Sequence, residues 1–403
     1  MIFRAEYDII INSILEKGRK TVKDLAEIRK EINAIDDELV KLIRQRLEIV
    51  EQVAANKKER GAPVFDPARE REILAKVARE VGPEYENGAC LLFSTLMSIS
   101  RARQRIVLRG EPELVGEIKS AMATTANKFP TIADVVCSGV EGSYAQQAVS
   151  QLFSYPTIKF VAGFEKVFDA VDRGEAPYGV LPVENSAAGT VTQVYDQMVK
   201  HDFRIVKSLR LKVNHVLLGV RGAKPEGIRQ VKSHPQALAQ CSKYLKAHPD
   251  WEAMADINTA VAAKELAASG RRDLAVIASR ACAELYGLDI LDENIQDESY
   301  NYTRFICISK QLEIYPEARK FSIMLSLPHR PGSLATILSK FAAIGVNITK
   351  LESRPIPGMD FEFRFIFDFD ASPRDEQVLR LLAELADDPE IEHFTFLGAY
   401  AED

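Results

Sequence analysis

The stretch that decides the fold of the first part of the chain is DLAEIRKEINAIDDELVKLIRQRLEIVEQVAANKKE, residues 24–59. Apolar residues recur in it at three- and four-residue steps, the spacing of one face of an α-helix: Leu25, Ile28, Ile32, Ile35, Leu39, Leu42, Ile43, Leu47, Val50 and Val53. The stretch contains neither Pro nor Gly. It predicts one helix well beyond the usual globular length, whose apolar face packs against another long helix, for instance from a second copy of the chain.

Two more helices follow the first. Gly61 and Pro63 end it, and Asp66-Pro67 supplies an N-cap residue and a first-turn proline for the second helix. The third helix runs from about Gly88 to Arg109. We therefore expect an all-helical domain over residues 1–110, followed by a linker over 111–133.

Beyond the linker, short β-rich runs alternate with helical segments. The candidate strands are Asp134–Cys137, Tyr178–Val183, Ile205–Leu209, His215–Val220, Leu274–Ala278 and Phe305–Ser309. This alternation predicts an α/β domain over residues 134–310.

From residue 311 the order is strand, helix, strand, strand, helix, strand, with a Pro/Gly turn between the second and third strands. The elements are Phe321–Leu327, Ser333–Ile344, Val346–Ser353, Phe361–Phe369, Pro373–Leu385 and Ile391–Leu397. The order βαββαβ predicts an α+β, ferredoxin-like domain over residues 311–403. Its stretch from Asp360 to Asp403 holds 13 acidic residues against three arginines, so the net charge is −10 there and +4 elsewhere.

The composition excludes several classes of protein. A chain of 403 residues has room for two or three domains, and 46% apolar with 27% charged residues is typical of soluble globular proteins rather than disordered or disulfide-scaffold chains. No apolar run approaches the roughly 18 residues that cross a bilayer. The N-terminus lacks the basic start and cleavage site of a secretory signal. We expect a cytoplasmic protein without membrane association.

The sequence shows no sign of a metal or nucleotide site. The cysteines, an odd number at irregular gaps without a C-x-x-C pair, fit reduced thiols: Cys90, Cys137, Cys241, Cys282 and Cys307. No G-x-G-x-x-G, Walker-type G-K-[ST] or H-E-x-x-H motif is present. We therefore expect neither a metal nor a cofactor.

Basic and polar side chains cluster on the predicted helices. At about 100° per residue, Arg46 and Lys57 fall within about 20° of one another, whereas Arg29 lies about 100° from Arg46. Arg46 and Lys57 can therefore share a pocket that Arg29 of the same helix is not expected to reach. The other two helices carry a second set of polar residues at neighbouring positions: Asp66, Arg69, Glu70, Ser100 and Gln104.

These residues lie in a segment, Asp24–Arg105, that resembles the all-helical chorismate mutases. The matching runs are IRKEINAIDDELVKLI (28–43), IRQRLEIVEQVAANK (43–57), PVFDPARERE (63–72) and LFSTLMSISRARQR (92–105). The resemblance implies that the following residues bind substrate: Arg29, Arg46, Asp66, Arg69 and Ser100. It implies catalytic roles for Lys57, Glu70 and Gln104. In this family two chains interlock, and the first helix lends its early arginine, here Arg29, to the partner's site.

The residue types suit the reaction that the resemblance implies. Chorismate rearranges to prephenate in a pericyclic step that needs no nucleophile, only a compact dicarboxylate and stabilised negative charge on the breaking ether oxygen. Arginines grip carboxylates bidentately. Lys57 and Gln104 would donate to the ether oxygen, and Glu70 would hold the ring hydroxyl.

Four further motifs are GSYAQQA (142–148), PVENSAAG (182–189), SHPQALAQC (233–241) and NYTRF (301–305). Each alone is compatible with an ordinary turn or strand start; together they resemble prephenate dehydratases over Asp134–Lys310. The resemblance implies two α/β lobes, like a periplasmic binding protein, with prephenate in the cleft between them. The crossovers between the lobes would lie near Leu209–Val213 and Tyr286–Ile290.

The dehydratase resemblance also implies roles for single residues. Thr303 would act at the departing ring hydroxyl, with Asn185, Ser186 and Arg304 as substrate-binding residues. Loss of that hydroxyl calls for a hydrogen-bond donor close to it, and because a threonine is a weak acid we expect a polarising hydrogen bond or a relayed proton. His234 lies in Ser-His-Pro at a helix start, where we expect a structural role.

Two motifs of the last domain, HRPGSL (329–334) and ESRP (352–355), resemble the phenylalanine-binding motifs of ACT domains in prephenate dehydratases. The first is usually Gly-Ala-Leu and is Gly-Ser-Leu here. The resemblance implies phenylalanine as effector at an ACT–ACT interface, bound by Gly332, Ser333, Leu334, Glu352, Ser353 and Arg354. The alternative is a plain dimerisation module.

The sequence thus predicts a homo-oligomeric, at least dimeric, bifunctional enzyme that converts chorismate to prephenate and then to phenylpyruvate, with feedback by phenylalanine. Two alternatives remain: a dehydratase that acts on arogenate, and a non-catalytic amino-acid sensor. Nucleic-acid binding is not expected, because the basic cluster that would carry it is short and lacks interleaved aromatic residues: Arg101, Arg103, Arg105 and Arg109.

Overall fold

A computed structural model describes residues 24–110, 112–356 and 363–403. The expectations for segment 1–23, for the Pro357-Gly358 turn and for the first residues of the strand Phe361–Phe369 lie outside the described residues. Contacts divide the chain into two compact units, which meet in sequence after Gly110.

The first unit is all-helical, as predicted. Its helices are α1 (Leu25–Arg60), α2 (Pro67–Val81) and α3 (Glu86–Arg109). The long helix predicted from the apolar spacing is confirmed: α1 has 36 residues and ends at Gly61, whose φ of 64° is left-handed. Asp66 caps α2 by accepting a hydrogen bond from the Arg69 backbone nitrogen at 3.0 Å.

The helical unit has a small core in the single chain. On α1 only Val50 and Ala54 are buried within the described residues, while Ile35 and Val40 are 60% and 66% exposed. Polar contacts align α1 and α3 in the same direction, because Arg46 meets Ser100 and Glu51 meets Arg103. Much of the apolar face of α1 therefore faces away from its own chain.

The second unit begins with α4 (Glu113–Thr124) and continues as two α/β lobes. The first lobe consists of β1 (Ile132–Ser138), α5 (Tyr144–Leu152), β2 (Tyr155–Val161), α6 (Glu165–Asp172), β3 (Tyr178–Asn185), β4 (Gly189–Thr190), α7 (Thr192–Met198), β5 (Arg204–Lys212) and β11 (Tyr302–Ser309). Its sheet has the order β2-β1-β3-β11-β5, with β4 paired to β3. β11 is antiparallel to both of its neighbours, β3 and β5.

The second lobe follows in sequence between β5 and β11. It consists of β6 (Val216–Gly219), a 3₁₀ turn (Pro225–Gly227), β7 (Gln230–Ser233), α8 (Pro235–Gln240), α9 (Ser242–Lys246), β8 (Glu252–Ala255), α10 (Thr259–Ser269), β9 (Leu274–Ala278), α11 (Arg280–Tyr286) and β10 (Asp289–Glu293). Its sheet has the order β10-β6-β9-β7-β8. The two-lobed α/β architecture is confirmed.

The crossovers between the lobes differ from their predicted positions. The first covers residues 213–215, because β5 stays paired with β11 up to Lys212. The second covers residues 294–301. The position predicted for it, Tyr286–Ile290, is wrong, because Asp289–Glu293 forms an edge strand that pairs antiparallel with β6. A short strand of mixed polarity at a sheet edge gives little signal in sequence.

The C-terminal domain consists of β12 (Lys320–Leu327), α12 (Ser333–Ala343), β13 (Asn347–Pro355), β14 (Phe363–Asp370), α13 (Glu376–Ala386) and β15 (Glu392–Tyr400). The sheet order β13-β14-β12-β15 confirms the ferredoxin-like fold. Phe321, Phe367 and Phe369 belong to the core between one sheet face and the helices. Ile118 of α4 is buried in the same core. Residues 111–133 are thus not merely a linker, because they contain a helix packed on this domain.

The other face of the C-terminal sheet packs on the first lobe. Ile366 and Tyr400 share a buried cluster with Val183 of β3. β15 approaches β5 so closely that a Cβ at Gly398 would lie 2.2 Å from the Ile205 carbonyl oxygen, which explains a glycine here. The last residues, 401–403, pair with β5. The C-terminal domain therefore covers the back of the first-lobe sheet.

No helix within the described ranges is long and apolar enough to cross a membrane, and no cluster of His, Cys, Asp or Glu in those ranges suits a metal ion. All of the cysteines are free, and Cys90 alone of them is not fully buried.

Candidate active sites and effector site

The first candidate site lies between α1 and α3 of the helical unit. Arg46 Nη1 donates to Ser100 Oγ at 2.5 Å and to the Leu96 carbonyl oxygen at 3.2 Å. Burial lowers the pKa of the Arg46 guanidinium, although an arginine stays charged at physiological pH. The structure therefore brings together Arg46 and Ser100, two of the predicted substrate-binding residues.

Gln104 lies one turn further along α3 and is buried. Its side-chain nitrogen donates to the Ser100 carbonyl oxygen at 3.3 Å. Its Oε1 is buried without a hydrogen-bond partner in the part of the chain that the structure describes. Because a buried amide oxygen normally has a partner, this side chain is only partly satisfied by its own protein and is free to bind a ligand.

Lys57, the other basic residue predicted to share this pocket, lies at the end of α1. Its Nζ donates to the Val64 carbonyl oxygen at 2.6 Å. Burial lowers the pKa of Lys57. The carboxylates of Asp66 and Glu70 raise this pKa, but by less than burial lowers it. The structure thus places Lys57 close to two of the predicted acidic residues.

Three further predicted residues of the helical unit have other partners or surroundings in the single chain. Arg69 is exposed and pairs with Glu72 at 2.6 Å on its own helix. Glu70 forms an ion pair with Arg101, a residue considered above only as part of a basic cluster. Arg29 is exposed and lies 17 positions before Arg46 on α1, which is about 26 Å along a helix.

The second candidate site lies at the end of β3 and the start of β11. Thr303 and Asn185 are directly opposed across these antiparallel strands. Asn185 Nδ2 donates to Thr303 Oγ1 at 2.9 Å, and Asn185 is buried. Ser186 joins the same strand ends through its Oγ, which accepts from the Tyr302 backbone nitrogen at 2.9 Å. Three of the predicted residues therefore form one cluster.

Two residues of this cluster were missed at the sequence level. Gln240 Nε2 donates to Asn185 Oδ1 at 3.2 Å, and Asn301 Oδ1 accepts from Asn185 Nδ2 at 2.8 Å. Gln240 belongs to the second lobe and Asn301 to the second crossover, so the cluster spans the junction of the lobes. Both residues lie inside quoted motifs, SHPQALAQC and NYTRF. Their position in these motifs is the sequence feature that could have identified them as site residues.

Arg304 requires a correction, because its side chain leaves the opposite face of β11 from Thr303. Its guanidinium is buried, forms an ion pair with Asp368 of β14, and donates to the Tyr400 hydroxyl at 2.8 Å. A second ion pair joins it to Glu402 at 2.9 Å. Neighbouring strand residues point to opposite faces, so the residue after Thr303 faces the C-terminal domain rather than the cluster.

Two residues of the quoted motifs lie at helix starts. Ser143 caps α5 by accepting from the Gln146 backbone nitrogen at 3.3 Å. His234 caps α8, since its Nδ1 accepts from the Gln236 backbone nitrogen at 3.2 Å, which agrees with a structural role. The hydroxyl and the imidazole each satisfy a helix N-terminus.

The two effector motifs lie at different places in the C-terminal domain. Gly332 precedes α12 with a left-handed φ of 87°, Leu334 packs against the core under the sheet, and Ser333 Oγ is buried without a hydrogen-bond partner among the described residues. In β13, Glu352 Oε2 accepts from Thr190 Oγ1 at 3.0 Å, and Arg354 donates to Asp196 at 2.5 Å.

The side chains of β13 thus alternate in their surroundings. Glu352 and Arg354 bond to the first lobe, and Ser353 between them is directed to the other side of the strand and is exposed. Lys350, two residues earlier, pairs with Glu184 at 3.2 Å. β13 is therefore joined to β3 and β4, the strands that flank Ser186, and the effector motif itself contacts β4 and α7.

Comparison with known families agrees with these three parts of the chain. The family model for chorismate mutase type II matches residues 28–105, that for prephenate dehydratase matches residues 135–313, and that for the ACT domain matches residues 321–387. A crystal structure of prephenate dehydratase from Arthrobacter aurescens in complex with L-Phe superposes with a TM-score of 0.61 at 30% identity, covering 66% of this chain and 89% of that one.

Two relatives show how far the similarity extends. Arogenate dehydratase/prephenate dehydratase 1 of Arabidopsis thaliana is 38% identical over 263 residues, covering 61% of this chain and 67% of that protein. The bifunctional chorismate mutase/prephenate dehydratase of Aquifex aeolicus is 30% identical over 381 residues, covering 94% of this chain and 98% of that protein. With all three domains present in the same order, the chain belongs to the family of bifunctional chorismate mutase/prephenate dehydratases.

Proposed function

We propose that the chain catalyses two consecutive reactions of phenylalanine biosynthesis, the rearrangement of chorismate to prephenate and the decarboxylative dehydration of prephenate to phenylpyruvate. The observation that carries this proposal is the presence in one chain of two half-buried cations on one face of α1, Arg46 and Lys57, and of a threonine that accepts a hydrogen bond from Asn185.

In the mutase reaction the residues of the helical unit hold chorismate in place and stabilise the negative charge that develops during the rearrangement. Arg46 meets a carboxylate of chorismate, and Lys57 together with the incompletely bonded Gln104 serves the ether oxygen on which negative charge develops. Fixed donors of this kind need no reorganisation as the charge develops. Glu70, with Asp66 nearby, binds the ring hydroxyl.

In the dehydratase reaction Thr303 serves the ring hydroxyl that leaves. Its oxygen accepts from Asn185, so its own hydrogen is available for the leaving oxygen, and the accepted bond makes that hydrogen more acidic. The bonds from the ring to its hydroxyl and to its carboxylate break, the hydroxyl leaves with a proton as water and the carboxylate leaves as carbon dioxide, and phenylpyruvate with its aromatic ring remains. Ser186, at the same strand ends, is the proposed contact for a substrate carboxylate.

Phenylalanine is the proposed effector of the ACT domain. The relative from Arthrobacter aurescens was solved with L-Phe. In this chain, Ser333 Oγ would bind the carboxylate of phenylalanine and Glu352 would bind its ammonium group. Free cysteines in the described residues fit the reducing cytoplasm that we propose as location.

A homodimer is the proposed minimal assembly. Large apolar side chains of α1 are exposed to solvent in the single chain, and exposed apolar patches mark interaction sites. Arg29 would then complete the partner's mutase site. Mixing Arg29→Ala and Lys57→Ala chains, each inactive alone, should restore part of the mutase rate, since mixed dimers contain one intact site. A mixture as inactive as its components would contradict this assembly.

The test of the whole proposal is incubation of the purified chain with chorismate, followed by assay for prephenate and phenylpyruvate. Both should form in sequence; a sensor would form neither.

Arogenate carries an amino group where prephenate has its side-chain keto group, so the Thr303 cluster suits either. Supplying prephenate and arogenate in parallel and comparing kcat/KM decides the substrate.

A further inference from the structure

His215 is buried at the first crossover, with 2% of its surface exposed, and it belongs to none of the motifs discussed above. Its backbone N–H donates to Gln296 Oε1 of the second crossover at 3.1 Å. The residue therefore lies where both connections between the lobes meet. A histidine in that place is either a packing residue or part of the adjoining site.

The hydrogen bonds of the ring fix where its hydrogen lies. Nε2 is 2.9 Å from Gln240 Oε1, and an amide oxygen only accepts, so Nε2 carries the hydrogen. Nδ1 faces the Tyr144 hydroxyl at 3.3 Å, which has its best acceptor in the Asn214 carbonyl oxygen at 2.6 Å. Burial lowers the pKa of His215, which favours the neutral ring with Nδ1 unprotonated.

The amide of Gln240 is oriented by groups on both of its sides. Asn185 Oδ1 is identified as the oxygen by the backbone nitrogens of Ala187 and Ala188, which donate to it at 3.1 Å and 2.9 Å. The Gln240 atom that faces this oxygen must therefore be its nitrogen. Gln240 Oε1 is left to accept the hydrogen of His215.

Three hydrogen bonds consequently run in one direction, from His215 to Gln240, from Gln240 to Asn185, and from Asn185 to Thr303. Each donor fixes the orientation of the next amide. At the end of the series Thr303 Oγ1 accepts, so its own hydrogen points away from Asn185.

We propose that His215 is a positioning residue of the dehydratase site: through Gln240 and Asn185 it holds the Thr303 hydroxyl in the orientation that donates to the leaving group. The inference rests on the proposed dehydratase function. His215 acts through Gln240 and Asn185 rather than on the substrate itself, and its place between both crossovers makes the orientation of Thr303 depend on the junction of the lobes.

The first test compares His215→Leu with His215→Gln in the full-length chain. Loss of the donor should lower the dehydratase kcat about 10–100-fold, with little change in KM. Gln should recover most of the rate, because its side-chain nitrogen can donate to Gln240. His248→Gln, which alters a ring stacked on Trp251 at 4.0 Å, is the matched control. Equal losses in both His215 variants, or an unchanged kcat in His215→Leu, would overturn the proposal.

A double-mutant cycle separates the route through Gln240 from a general packing effect. In a Gln240→Leu background the bond that His215 donates has no acceptor, so His215→Leu should then cost much less than it does in the wild type. Full additivity would overturn the route. Thermal unfolding of each variant, measured by circular dichroism, corrects for any loss of folded protein.

A spectroscopic test does not depend on activity. In protein labelled with ¹⁵N-histidine, the signal missing from His215→Gln identifies His215 among the six histidines of the chain. Its shifts should report a neutral ring with hydrogen on Nε2; hydrogen on Nδ1 would overturn the proposal. If the wild type forms no phenylpyruvate from prephenate, the dehydratase function fails separately, while this signal still decides the hydrogen bond of His215.

Discussion

Asn185 and Thr303 are opposed across β3 and β11, and the next pair along the same strands, Glu184 and Arg304, points to the opposite face. The first pair is joined by a 2.9 Å hydrogen bond at the junction of the lobes. The second pair is held by the ACT sheet, through Lys350 on Glu184 and Asp368 on Arg304. The proposed dehydratase site and the regulatory domain therefore lie on the two faces of the same two strands.

The orientation of this hydrogen bond can be tested with Asn185→Asp. The carboxylate still accepts from the backbone of the following loop but cannot donate to Thr303, which would turn its own hydrogen toward the aspartate. We expect the dehydratase kcat to fall about 10²-fold or more, as far as in Thr303→Val. Thr303→Ser, which keeps the hydroxyl, is the matched control. A near-wild-type rate in Asn185→Asp would contradict the assigned direction of donation.

Lys57 is expected to be indispensable for the mutase reaction alone. Lys57→Ala removes a charged donor from the ether oxygen, and loss of one such fixed donor costs about 10²–10³-fold in kcat. The dehydratase rate on supplied prephenate should stay at the wild-type value, because Thr303 belongs to the other unit. Lys58→Ala changes the exposed neighbour and is the control. Retained mutase turnover in Lys57→Ala would remove Lys57 from the mechanism.

The pH dependence of the mutase follows from the environment of Lys57. Burial lowers its pKa and outweighs the carboxylates of Asp66 and Glu70, which raise it. Because the ammonium must be protonated to donate, kcat/KM should decline on the alkaline side at a lower pH than a free lysine would lose its proton. Lys57→Arg should remove this alkaline decline, since arginine stays protonated. The kcat/KM of this variant should be lower than that of the wild type but should stay constant at alkaline pH. An alkaline limb that is the same in wild type and Lys57→Arg would assign it to another group.

The effector response should depend on Glu352. Its carboxylate accepts from Thr190 Oγ1 at 3.0 Å, and Glu352→Gln keeps an accepting oxygen while removing the negative charge that would attract an ammonium group. Loss of a charge-assisted hydrogen bond is worth about 1.5–3 kcal/mol. The phenylalanine concentration that half-inhibits the dehydratase should therefore rise at least about tenfold.

Glu376→Gln, in an exposed pair with Arg380 on α13, is the control for that measurement. It should leave the inhibition curve unchanged. If Glu352→Gln and Glu376→Gln give the same curve, the ESRP motif does not bind the effector, and the alternative of a dimerisation module gains support.

The sequence predicted the elements whose signals are local. The apolar spacing of α1, the Asp66-Pro67 start of α2 and the βαββαβ order of the C-terminal domain are read from neighbouring residues, and these predictions are confirmed. The second crossover was placed wrongly because β10 is an edge strand of mixed polarity, whose pairing with β6 is a tertiary contact that local pattern does not encode.

The site residues divide along the same line. Asn185 and Thr303 lie in motifs, and the pairing of β3 with β11 brings them into contact. The Arg304 side chain faces the sheet of the ACT domain, a tertiary contact that the motif itself does not encode. Gln240 becomes part of the cluster only through the fold of the second lobe. His215 has no sequence signal at all, because a single histidine before an apolar strand looks like any strand start.

The pair of Arg304 and Asp368 gives the last prediction, which concerns stability. Their side chains are 10% and 5% exposed, and removing one partner of a buried pair leaves an uncompensated charge that costs about 3–5 kcal/mol. Because Glu402 remains beside Arg304 at 2.9 Å, Asp368→Asn should destabilise the second unit by the lower end of that range. The measurement is urea unfolding followed by circular dichroism. Asp273→Asn, in an exposed pair with Arg271, should leave the midpoint unchanged, and a similar midpoint for both variants would show that the buried pair contributes no stability.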